Sequence, residues 1–139
     1  MASRILAVDY GSVRVGLALS DPLRILAQPI PHIKNRGPKE LVQDLKKIIE
    51  EKEVQLVLIG LARRKDESLG PIGEASVRLS EELKKECGVR VELKDEAFTS
   101  REAEEILIQE LGVSREKRKG LKDSLAACLI LRSYLSNNQ

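Results

Sequence analysis

"AVDYGSVRVGLALSD", residues 7–21, holds an apolar run that ends on an acid, a small-residue break, and then a strict alternation. The first strand is read over Arg4–Asp9, with Asp9 as its last residue. Val13, Val15, Leu17 and Leu19 alternate with small or polar residues, so 13–20 reads as a second strand. Gly11 and Ser12 between them predict a tight hairpin turn. A carboxylate where a buried strand stops gains meaning only if other acids converge on it.

Outward from this hairpin, a third strand is expected within 24–34. Pro29 and Pro31 assign it to a sheet edge, where a missing donor costs least. Pro38 opens a helix whose inner face is Leu41, Val42, Leu45, Ile48 and Ile49, ending near Lys52. Residues 54–60, VQLVLIG, form a run apolar enough for a central parallel strand buried on both faces. The polar loop 61–71 leads to a helix over about 72–87, stopped by Gly88. A short fifth strand covers 89–93. Thr99 with Glu102 forms a capping box for a helix reaching about Leu111. A basic loop follows, then a final helix over about 120–136, apolar nearly all round. The resulting β-β-β-α-β-α-β-α-α order predicts an α/β fold: a five-stranded mixed sheet, three strands antiparallel and then two parallel, flanked by helices. Residues 1–139 read as one domain, with no linker, repeat or low-complexity segment.

The composition narrows the function classes. Hydrophobic residues are 42% and charged residues 33%, as in a soluble globular chain. The net charge of +2 requires any nucleic-acid contact to use local patches. No apolar run approaches the ~20 residues of a membrane span, and no signal-peptide pattern is present. Cys87 and Cys128 sit in helical apolar patterns and read as reduced core thiols, which predicts a cytoplasmic setting. Tyr10, Phe98 and Tyr134 are too few for a base-stacking platform. A lone histidine, His32, reads as structural or exposed; without a second histidine or clustered cysteines a zinc site is not expected.

Asp9 ends the first strand, Asp95 and Glu96 follow the fifth, and Asp123 lies near the start of the last helix. In a parallel α/β layout the carboxyl ends of the strands form one rim, where ligands bind. Carboxylates brought together repel unless cations intervene, and carboxylate oxygens are the ligands Mg²⁺ and Mn²⁺ prefer. Each acid also has a plainer reading: Asp9 as a turn former, Asp95 and Glu96 as solvated loop charges, Asp123 as a helix-dipole partner.

"VDYGSVRVGLALSD" (8–21), "LVLIGLARRKDESLGP" (56–71), "KDEAFTS" (94–100) and "KDSLAACLILRSYL" (122–135) occur in this order. Together they resemble the signature blocks of the YqgF (RuvX-like) family, over essentially the whole chain. The resemblance implies a ribonuclease-H-like fold and a nuclease acting in 5′-end maturation of pre-16S ribosomal RNA; an older label for the family is Holliday-junction resolvase. It implies Asp9, Glu96 and Asp123 as the catalytic, metal-holding acids, with Asp95 the alternative to Glu96, and Mg²⁺ or Mn²⁺ as the cofactor. Two places depart from the family pattern: Ala97 stands where an arginine is usual, and Ala62 and Glu67 replace the usual proline and Asp-Gly-Ser stretch.

Arg14, Arg63, Arg64, Lys65, Lys117, Arg118 and Lys119 are the candidates for gripping phosphates around the acids, against the plainer reading of solvated loops. The expected function is therefore a metal-dependent endonuclease that hydrolyses phosphodiester bonds in structured, pre-ribosomal RNA. The alternatives are a branched-DNA resolvase, a non-catalytic RNA-binding ribosome assembly factor, and an ATPase using the D-x-G hairpin as a phosphate cradle. Oligomeric state is not legible in the residues.

Overall fold

In the computed structural model, residues 3–62, 66, 68–95, 101–112, 114, 116 and 121–137 are described, Arg101 and Glu102 by their backbone only. The strands are β1 (Arg4–Asp9), β2 (Arg14–Ser20), β3 (Ala27–Lys34), β4 (Val54–Leu61) and β5 (Arg90–Asp95). The helices are α1 (Pro38–Glu51), α2 (Gly70–Cys87), α3 (Arg101–Leu111) and α4 (Leu125–Asn137), the last preceded by a 3₁₀ turn at Lys122–Ser124. The strands form one sheet in the order β3-β2-β1-β4-β5, antiparallel across β3-β2-β1 and parallel across β1-β4-β5. The mixed sheet expected from the sequence is therefore present, with β3 on an edge, β1 at the centre and the apolar β4 inside, between β1 and β5.

Strand parity sorts the core into two layers. Leu6, Val8, Val15, Leu17, Val57, Ile59 and Val91 pack with Leu41, Leu45, Leu79 and Leu83 of α1 and α2. Ile5, Ala7, Ala18, Leu56 and Leu58 pack on the other face with Leu107 of α3 and with Leu125, Cys128, Ile130 and Leu131 of α4. Cys87 and Cys128 are free thiols; burial pushes the Cys128 thiol up to about 12, so it stays protonated in the core. No helix among the described residues is long and apolar enough to cross a membrane.

Four boundaries depart from the expected elements. The hairpin tip falls on Ser12–Val13 rather than Gly11–Ser12, because Gly11 closes against the Arg14 carbonyl oxygen, a place with no room for a Cβ. Helix α2 begins at Gly70, and β5 runs on to Asp95 because Lys94 and Asp95 pair with Gly60 and Leu61 of β4. The last helix begins at Leu125, directly after the 3₁₀ turn 122–124, whose Ser124 is wholly buried.

Candidate functional site

The site is built around one glycine. Asp9 closes β1 and pairs directly with Gly16 of β2. Parity puts both on the α3–α4 face, with Ile5, Ala7 and Ala18. The 3₁₀ turn lies on Gly16: a Cβ built there would overlap the Asp123 carbonyl oxygen and stand 2.8 Å from its carbon and 3.1 Å from Ser124 Cα. Asp9 and Asp123, 114 positions apart in the chain, thus flank a single residue without a side chain.

Ser124 fastens this arrangement. Its hydroxyl accepts the Leu17 N–H at 3.0 Å and donates to the Ile30 carbonyl at 2.5 Å. Both groups border a break in the β2–β3 ladder: Val15 pairs with Ile33 and Leu17 with Ile30, so Pro31 and His32 face the single residue Gly16. This is a β-bulge, a device that re-aims a side chain. Ile30 and Ile33, three apart, both pack on the α1–α2 side. His32 is turned the other way, to within 3.5 Å (Nδ1) of Asp123 Oδ2. Arg14, at the start of β2, brings its Nε to 3.9 Å from the same oxygen; at that distance and exposure the pair adds little stability.

Helix α3 adds a further acid. Burial and the negative charge of Asp9 push the Glu104 carboxyl above its ordinary range, while Lys122 of the 3₁₀ turn pulls it back. Negative charge therefore gathers at the carboxyl end of β1, as hard-cation sites require. Among the described residues no group of three His, Cys, Asp or Glu side chains is close enough to hold one ion.

Comparison with known proteins follows from this geometry. The family model for RuvX, described as Holliday junction resolvase, matches residues 3–137. The chain belongs to the RuvX family. A relative from Clostridioides difficile (strain 630) is 41% identical over 132 residues, covering 95% of this chain and 93% of its own length. One from Endomicrobium trichonymphae is 37% identical over 133 residues, covering 96% and 95%. Both carry the name "Putative pre-16S rRNA nuclease". Among solved structures, the fowlpox virus resolvase with Holliday junction DNA superposes with a TM-score of 0.65 at 12% identity, over 96% of this chain and 97% of that one. T. thermophilus RuvC in complex with a Holliday junction substrate gives 0.60 at 17% identity, over 98% and 96%. The RuvX-family chain thus has the ribonuclease-H-like fold that its signature blocks implied.

Within this RuvX-family fold, the acids named from sequence fall into three groups. Asp9 and the main chain of Asp123 both border Gly16. Asp95 is the last residue of β5, opposite Leu61, and shares parity with Val91 of the α1–α2 layer, the face away from Asp9. Glu96 lies outside the described residues, as do Ala97, Thr99, Arg63, Arg64, Lys65, Glu67, Lys117, Arg118 and Lys119. Arg14 is beside Asp123. His32 and Glu104 were not anticipated at the site. Glu104 carried a readable signal, since it precedes Leu107 and Ile108 by three and four positions and so shares their buried stripe. His32 carried none, because regular alternation would align it with Ile30.

Glu104→Gln should raise the melting temperature at pH 7 by a few degrees. A carboxyl raised in the folded state costs stability once the unfolded chain would ionise it, above about pH 4.3. The cost is complete above the folded value and disappears at lower pH. Melting curves at pH 7 and pH 4 check this: the variant's advantage should be present at the first and absent at the second.

Proposed function

We propose that this RuvX-family protein is a metal-dependent endonuclease that hydrolyses phosphodiester bonds in precursor 16S ribosomal RNA, the 139 residues acting as one nuclease domain in the cytoplasm. The observation that supports this reading is that Asp9 and the main chain of Asp123 both border Gly16 at the carboxyl rim of β1. The names of the relatives support the RNA substrate. The two unpaired thiols suit a reducing compartment.

Asp9, Asp123 and Glu96 are the residues that would hold Mg²⁺ or Mn²⁺; the oxygen donors and the gathered negative charge around Glu104 fit hard cations. When bound, such ions supply an activated water and stabilise the departing oxygen. Glu96 is favoured over Asp95, because Asp95 shares parity with Val91 of the α1–α2 layer, the face away from Asp9, and because the signature block resembles one in which Glu96 is the ligand. Arg14, exposed and beside Asp123, binds a phosphate next to the acids. Arg63, Arg64, Lys65, Lys117, Arg118 and Lys119 are assigned to phosphates farther along the strand, which fixes the backbone without reading its sequence.

A second reading, a branched-DNA resolvase, is favoured by the description of the family. The deciding experiment compares a 5′-extended 16S precursor RNA with a four-way DNA junction in Mg²⁺, Mn²⁺ or EDTA. The RNA should be cut in either metal and left whole in EDTA. Junction cutting with intact RNA would select the second reading. RNA binding without cutting of either substrate would make the protein an assembly factor.

A further inference from the structure

We infer that His32 is a positioning residue for Asp123: its imidazole fixes the rotamer of the carboxylate through Oδ2 and leaves Oδ1 to the cation. The inference rests on the metal-site reading above and adds a residue from the opposite edge of the sheet.

Three observations carry it. First, the Nδ1 atom of His32 is buried and has no hydrogen-bond partner among the described residues. Such a group is costly unless something compensates it. Second, Nδ1 stands 3.5 Å from Asp123 Oδ2, so a movement of about 0.6 Å in either side chain makes a hydrogen bond of ordinary length. Third, the aim is built into the backbone. The bulge opposite Gly16 turns His32 to the α4 side, and the same bulge is closed by Ser124, the neighbour of Asp123. One irregularity thus sets the main-chain position of the acid, through Ser124, and the orientation of its side chain, through His32. Arg14 also approaches Oδ2, so the imidazole and the guanidinium both meet the same oxygen of the carboxylate. A ligating carboxylate held in this way loses less rotamer freedom when a cation binds, and such supporting contacts are commonly worth 10–100-fold in metal affinity.

The test is Mn²⁺ affinity, read from the EPR signal of the free ion, for the parent chain and for His32→Ala, His32→Asn, His32→Gln and Asp123→Asn. His32→Ala should bind about tenfold more weakly. His32→Asn should recover most of the loss, because its amide nitrogen occupies the place of Nδ1. His32→Gln should stay near the alanine level, since its amide maps onto Nε2. Metal-free melting temperatures should match the parent for all three; if His32→Ala fails to fold, the Asn–Gln comparison decides alone. Unchanged affinity in His32→Ala, or asparagine no better than glutamine, would overturn the positioning role while leaving the metal site standing. Parent-like affinity in Asp123→Asn would overturn the metal site itself, and the role of His32 with it.

Discussion

Gly16→Ala should destabilise the protein by about 3 kcal/mol or more and lower its melting temperature by roughly 10 °C. The added methyl has nowhere to go. It would overlap the carbonyl oxygen of Asp123, and the next atoms, at 2.8 and 3.1 Å, are also main chain. No side-chain rotation relieves the clash, so the 3₁₀ turn must lift off β2. Lifting it breaks the bridge of Ser124 to Leu17 and Ile30, leaving a buried donor and acceptor that cost about 1–3 kcal/mol unsatisfied. It also carries Asp123 away from Asp9. Gly88→Ala is the control: Gly88 ends α2 at φ 61 with nothing within 4 Å of a built Cβ, so only backbone strain of about 1–2 kcal/mol applies. Chemical denaturation of the two variants checks the difference. Equal losses would mean that the turn adapts and that Gly16 is not the seat of the site.

That seat was only partly legible in the residues. The layer structure was readable because burial leaves a periodic trace: the unbroken run of β4, the alternation of β2, and the stripe Leu41–Leu45–Ile49 of α1. Pro38 and Gly88 mark helix ends through local sterics, and both do so here. What escaped was set by contacts distant in the chain. Lys94 and Asp95 look like loop residues, yet pairing with Gly60 and Leu61 makes them strand. Once β5 extends to Asp95, parity with Val91 separates it from Asp9, a distinction that a strand ending at Leu93 does not carry. The 3₁₀ turn exists because Asp123 and Ser124 must fit Gly16 and the β3 bulge. The bulge has no periodic signature, so His32 looked like an ordinary edge residue. Glu104 could have been found, as a carboxylate on the apolar stripe of α3. That β1 and the start of the last helix share one rim was legible, because it follows from topology: strand ends and a helix start on one side of the sheet.

Asp9→Asn and Asp123→Asn should each reduce phosphodiester cleavage by more than roughly a hundredfold while the fold survives. Each change keeps the shape of the side chain and removes its charge. Neither acid is fully buried, and neither belongs to the apolar layers. Stability should hold for Asp123→Asn and hold or rise for Asp9→Asn, because the Asp9 charge no longer opposes that of Glu104. Asp9→Asn has a second expected effect: with the Asp9 charge gone, the Glu104 carboxyl should titrate closer to its ordinary range, visible by NMR as a downward shift.

The most direct test of the central claim, that Asp9 and Asp123 form one metal-holding nuclease site across Gly16, is single-turnover cleavage of 5′-extended 16S precursor RNA in Mn²⁺. The parent chain, Asp9→Asn and Asp123→Asn are compared, each first shown to melt like the parent. The site predicts cutting by the parent alone, abolished by EDTA. Folded Asp9→Asn or Asp123→Asn protein that cuts at the parent's rate would contradict it.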